Sequence, residues 1–155
     1  LLRAAGATVA AAESATAGLV CSRLATVPGS SATFRGGAVA YATDTKAAVV
    51  GIDPALLDTH APVSRPVTTA LARAVRERFA ADYGVATTGV AGPSDQDGVP
   101  VGTCVWAVCG PDGEVDVMER VVPGDRDAVR GRLATAALET LRRRLLADLG
   151  DPGAT

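Results

Sequence analysis

A chain of 155 residues falls within the ~100–200 residues of one domain and buries roughly two-thirds of its unfolded surface, enough for a core without disulfide or metal staples. With 48% hydrophobic and 21% charged residues it is neither disordered nor fibrous, and no apolar run reaches the ~18 residues of a membrane span. The net charge of −2 and the few aromatic residues (Phe34, Tyr41, Phe79, Tyr83, Trp106) disfavour nucleic-acid binding and favour a small-molecule partner.

Apolar runs alternating with helical periods predict an α/β fold. Ala7–Ala12 reads as a short buried strand running straight into a helix at Ala17–Ala25, so Glu13-Ser14-Ala15-Thr16 falls at the junction; Pro28-Gly29 stops the helix. Leu1 already lies in a helix-like stretch, which leaves room for an upstream segment. Phe34–Ala42 is a second strand, opened by Gly36-Gly37. Thr43 is expected to cap a short helix through Val50, placing Lys46 in its first turn, with Gly51 as the stop. His60 is read as a loop residue.

Ser64 caps a core helix with Pro66 in its first turn and Val67, Leu71, Ala74, Val75 and Phe79 at helical spacing. Val85–Thr88 and Thr103–Cys109 read as strands around the turn-rich stretch Gly89–Gly102, and Gly113 precedes another at Val115–Val122. Asp125 caps a long last helix carrying Val129, Leu133, Ala136, Ala137, Leu141 and Leu145. Residues 1–150 are read as one domain and 151–155 as a frayed tail. Cys21, Cys104 and Cys109, an odd number inside apolar runs, read as reduced core thiols of a cytoplasmic protein.

The basic residues are 14 Arg and a single Lys, Lys46. Where arginine supplies positive charge almost everywhere, a surviving lysine suggests a site that needs an amine able to lose its proton. A helix-start field would lower its pKa, and Tyr41, five residues upstream, could relay its proton. Ser14, at a strand-to-helix junction, sits where α/β enzymes expose a nucleophile beside free backbone N–H groups, although a serine there also serves as a plain N-cap. Together the three suggest a Ser-Lys nucleophilic site. Pro28-Gly29-Ser30-Ser31 and Thr87-Thr88-Gly89-Val90-Ala91-Gly92-Pro93 are candidate anion loops without P-loop or GxGxxG spacing, and Arg126 and Arg130 open the last helix at a phosphate-friendly position. One His rules out a multi-His metal site, and Asp95 and Asp97 lack the spacing of a calcium loop, so no metal and no cofactor are expected.

Taken in order, Ala12-Glu13-Ser14-Ala15-Thr16-Ala17-Gly18, Pro28-Gly29-Ser30-Ser31, Gly36-Gly37, Tyr41 with Lys46, Ala61-Pro62-Val63-Ser64, Thr88-Gly89-Val90-Ala91-Gly92-Pro93 and Pro100-Val101-Gly102-Thr103 closely resemble the CinA C-terminal domain family, over nearly the whole chain. The resemblance implies a single-domain three-layer α/β/α sandwich. It implies an amidase that converts nicotinamide mononucleotide to nicotinate mononucleotide and ammonia, with Ser14, Tyr41 and Lys46 catalytic. Thr16, Ser31, Gly37, Thr88, Gly89, Arg126 and Arg130 are the expected substrate-binding residues. The expected partner is a small nucleotide, with no nucleic acid and no membrane, and a homo-oligomer is left open. The family commonly has Cys and Gly where this chain has Ala15 and Ala17, and Gly-Gly after Gly-Pro where it has Ser94-Asp95-Gln96-Asp97-Gly98. The alternative is a non-catalytic nucleotide-binding or interaction module on the same fold.

Overall fold

Small residues at the centre of the sheet set the architecture. In a computed structural model that describes residues 1–150, strand β1 (Val9–Glu13) is buried throughout and contributes three consecutive alanines. It is flanked by parallel neighbours β2 (Phe34–Val39) and β3 (Tyr83–Gly89); β4 (Thr103–Cys109) and β5 (Val115–Val121) continue antiparallel, giving the order β2-β1-β3-β4-β5. The expected tail at 151–155 lies outside the described residues.

Alternation along the strands sends side chains to two cores. Val9, Ala11, Val85, Trp106 and Val108 face helices α2 (Leu19–Ala25) and α6 (Arg126–Asp148), whereas Ala10, Ala12, Ala86 and Ala107 face α5 (Arg65–Arg78). Helices on both faces make the α/β/α sandwich expected from the sequence. Gly84 lets α5 approach closely: a Cβ added there would clash with the Ala72 carbonyl oxygen.

Local differences from the sequence reading have physical causes. Helix α2 starts at Leu19, so β1 does not run straight into it; residues 14–18 form a turn, with Ala17 at φ 48° and Gly18 at φ 97°. Alanine adopts this left-handed backbone only with strain, whereas glycine would adopt it freely. Thr43 is not a cap. It is the first residue of α3 (Thr43–Thr45), whose N-cap Ala42 offers no side chain, and the chain continues as a π turn over Lys46–Val50 that ends at Gly51 in the left-handed region. His60 closes a helix, α4 (Pro54–Thr59), whose start is marked by Asp53 accepting from the Ala55 N–H at 3.0 Å and by Pro54 in the first turn. A four-residue helix α1 (Leu2–Ala5) precedes β1. Asp125 caps α6 as read, accepting from the Ala128 N–H at 2.9 Å. Among the described residues no helix is long and apolar enough to cross a membrane.

Candidate functional site

The carboxyl ends of β1, β2 and β3 converge on one edge of the sheet. Chain leaving β1 goes to β2 on one side, and chain leaving β2 returns to β3 on the other, so a crevice opens where the topology reverses. A polar cleft of about 260 Å³ lies there, lined by Ser14 from the end of β1, Tyr41 and Lys46 from beyond β2, Gly89 to Gly92 from beyond β3, and Arg126 from the start of α6. Ser14, Tyr41 and Lys46, separated in the sequence, thus share one cavity. A second groove, of about 320 Å³, lies between α1, the end of α2 and α6; its lining is largely Leu2, Leu24, Phe34, Leu138, Leu141 and Leu145, with no paired nucleophile and base.

Lys46 is 2% exposed, and its Nζ donates to the Ala40 carbonyl at 3.3 Å. Among the described residues it forms no ion pair. Burial pushes its ammonium below the ordinary lysine range, and nearby Asp44 pulls weakly the other way. The sequence reading attributed the same direction to a helix dipole; desolvation is the larger cause, because the side chain is buried with its amine against the Ala40 carbonyl just past β2.

Ser14 is held by its backbone. Its N–H donates to the Thr87 carbonyl at 2.9 Å and its carbonyl accepts from the Ala17 N–H at 3.0 Å. The N–H groups of Ala15 and Thr16, the next two residues, meet no acceptor among the described residues, which leaves them available to a developing oxyanion. Arg130 braces the same turn from outside, donating to the Ala15 carbonyl at 3.1 Å and the Thr16 carbonyl at 3.3 Å.

Tyr41 is half exposed and is steadied by Arg126, whose guanidinium donates to the phenol oxygen and, at 2.8 Å, to the Gly92 carbonyl. Arginine only donates, so the phenol accepts there and its own proton is free to face the cleft.

The expected binding residues divide by location. Gly89 and Arg126 line the cleft. Thr16 and Thr88 are fully buried beneath it, Thr16 bonded to Glu13 at 2.6 Å and to Thr87 at 2.7 Å, Thr88 to Thr68 at 2.7 Å. Gly37 lies in β2 under α2, where a Cβ would come within 2.4 Å of Cys21 Sγ and 2.7 Å of the Ala11 carbonyl oxygen. Ser31 sits exposed in a 3-10 turn, Ser30–Ala32, outside the cleft lining. Sequence reasoning passed over Glu13, a wholly buried carboxylate ahead of the candidate nucleophile. Its signal was an acidic residue ending a strand that is otherwise apolar.

The cysteines are free thiols, Cys104 and Cys109 buried and Cys21 partly so; burial, then the adjoining Glu13 carboxylate, pushes Cys21 up to about 12, so Cys21 supplies no thiolate to compete with Ser14.

An α/β/α sandwich with a serine, a buried lysine and a tyrosine around a switch-point crevice defines a class of small α/β domain with a nucleophile-and-base constellation. The model of the CinA C-terminal domain family matches residues 1–145, and the chain belongs to that family. A CinA-like protein of Frankia casuarinae is 50% identical over 139 residues, covering 90% of this chain and 32% of the relative. One from Mycobacterium tuberculosis is 43% identical over 148 residues, covering 95% and 34%. The chain therefore spans about a third of the length of the curated relatives it matches. Among solved structures, a competence/damage-inducible protein from Agrobacterium tumefaciens superposes with TM-score 0.85 at 34% identity, covering 90% of this chain and 86% of that one. A CinA superfamily protein from Klebsiella pneumoniae gives TM-score 0.90 at 26% identity, covering 94% and 91%.

Proposed function

We propose that this domain is a nicotinamide-nucleotide amidase, hydrolysing the carboxamide of nicotinamide mononucleotide to the carboxylate and ammonia through Ser14. The observation that carries the reading is the meeting of Ser14, Tyr41 and Lys46 at one cleft, with the Lys46 ammonium disfavoured by burial. Neutral Lys46 takes the Ser14 hydroxyl proton, and the alkoxide adds to the carboxamide carbon. The N–H groups of Ala15 and Thr16 receive the oxyanion. Collapse breaks the C–N bond, and the proton held by Lys46 passes through Tyr41 to the departing ammonia. Water, deprotonated by Lys46, then releases nicotinate mononucleotide from the acyl-serine and returns the proton to Ser14.

Arg126, beside Gly89 to Gly92, is the cationic side chain of the cleft mouth suited to a phosphate. The donor set favours chemistry by side chains alone: Asp95 is the carboxylate in the lining, and among the described residues no three His, Cys, Asp or Glu gather.

The test is ammonia release from nicotinamide mononucleotide by the purified protein, with and without chelator. Turnover indifferent to chelation and abolished in Ser14→Ala, with nucleotide binding retained, is expected. Tight nucleotide binding without ammonia release would make the domain a binding module, and turnover restored only by added metal would exclude the serine mechanism.

A further inference from the structure

We propose that Glu13 is a positioning residue for Ser14: its buried carboxylate shapes the turn that presents the nucleophile to the cleft. The inference rests on the amidase reading for what Ser14 does, and on separate observations for how Ser14 is held.

Glu13 is 1% exposed, and among the described residues no cation pairs with it. A carboxylate in such a place is costly unless donors replace its water. Four do. Oε2 accepts from the Thr16 hydroxyl at 2.6 Å, the Gly18 N–H at 2.9 Å and the Val20 N–H at 3.0 Å, and Oε1 from the Cys21 N–H at 2.7 Å. The three backbone donors are orphan groups of the α2 start, where the N-cap Gly18 has no side chain to satisfy them. The cap comes instead from the last residue of β1, five positions upstream.

That arrangement fixes what lies between. Residue 13 is held in the sheet, its carbonyl accepting from the Ala40 N–H at 2.8 Å, while Glu13 also grips the start of α2. The chain from 14 to 18 must close in a tight turn, which explains the left-handed backbone at Ala17 and Gly18. Ser14 stands at the head of this turn, and the N–H groups of Ala15 and Thr16 stay uncommitted because Glu13 draws on those of residues 18, 20 and 21. The hydroxyl proton of Thr16 goes to Glu13, so the Thr87 hydroxyl donates to Thr16 at 2.7 Å and links the turn to β3. Glutamine cannot copy this: three of the four partners are backbone N–H groups, which only donate, and its amide NH₂ would confront either that of Cys21 or those of Gly18 and Val20.

The variants are Glu13→Gln, with Thr16→Val and Thr16→Ser as a pair that keeps the carboxylate. Each is measured for fold by circular dichroism, for kcat and KM with nicotinamide mononucleotide, for nicotinate mononucleotide affinity, and for the rate at which a fluorophosphonate labels Ser14. In Glu13→Gln, kcat and labelling should fall about 100-fold, the effect of misplacing a reacting group by ~1 Å, with KM and product affinity unchanged. Thr16→Ser should recover most of what Thr16→Val loses, and that pair decides the matter if Glu13→Gln does not fold. A folded Glu13→Gln with normal labelling, a loss confined to KM, or Thr16→Ser as impaired as Thr16→Val would overturn the proposal. Wild-type protein that labels at Ser14 without releasing ammonia defeats the amidase reading alone, since labelling still reports on Glu13. Wild-type protein that does neither defeats both.

Discussion

Lys46 is an amine placed where an ammonium is unwelcome. Its folded-state pKa lies below the ordinary 10.5, so the unfolded chain binds the proton more tightly. The cost is therefore fully present below the folded pKa and is relieved as pH rises from there toward the unfolded value, so stability climbs across that window. Lys46→Met should remove the climb and raise stability at neutral pH by about 1 kcal/mol or more, while abolishing turnover. Lys46→Arg keeps the charge and loses the base; its activity should collapse as far as that of Lys46→Ala. Denaturant melts over a pH series and kcat measured over the same series check both, the wild-type kcat rising through a titration below 10.5 and then levelling. An Arg variant with substantial kcat would reduce Lys46 to a binding cation. The residue was legible in the sequence because one lysine stood among fourteen arginines. Its surroundings were not, since desolvation depends on which elements cover a side chain, and spacing along the chain does not carry that.

At the scale of elements, β2 shows how a motif residue can have a packing reason. Gly36-Gly37 does not open the strand as read but lies in its middle, and at Gly37 the backbone of β1 and the thiol of Cys21 leave no room for a methyl group. Gly37→Ala should destabilise the fold by about 1–3 kcal/mol through overpacking, with KM unchanged in the folded fraction, as thermal melts and kinetics would show. Raised KM at unchanged stability would instead support its expected place in substrate binding. Strand β4 was read with its observed limits, Thr103–Cys109, because it is apolar from Cys104 onward and flanked by glycines. Helix α4 was missed although Asp53-Pro54 carries a start signal, because only two of its six residues are leucines and no apolar stripe follows. The π turn at Lys46–Val50 left no pattern, since Lys46-Ala47-Ala48-Val49-Val50 suits an ordinary helix equally well.

For the molecule as a whole, the cleft is a junction of distant segments. Arg126 spans it, touching Tyr41 beyond β2 and Gly92 beyond β3 from the start of α6. Arg126→Ala should therefore lower kcat by loosening Tyr41 as well as raise KM. A change in KM alone would make it a plain phosphate contact. The α/β alternation was legible from period and punctuation, and the sandwich was implied by the family resemblance; the pairing of β1 between β2 and β3, and with it Glu13's reach to α2, depends on tertiary placement.

β1 is an inner strand of the sheet, held between β2 and β3, and this bears on how the protein is made. On a ribosome β1 emerges before both of its neighbours in the sheet. Yet Thr8, just before it, is joined to Asp82, just before β3, across 74 residues of chain. Until that stretch has been synthesised, β1 keeps one edge unpaired, and Ser14 lacks the Thr87 carbonyl that holds its N–H. Such non-local pairing is slow to close and leaves an open strand edge in nascent chains. A nascent chain halted before β3 would expose an alanine-rich strand seeking a partner, with the turn at Ser14 not yet fixed, so the candidate nucleophile is put in position only once the chain is committed to its sheet.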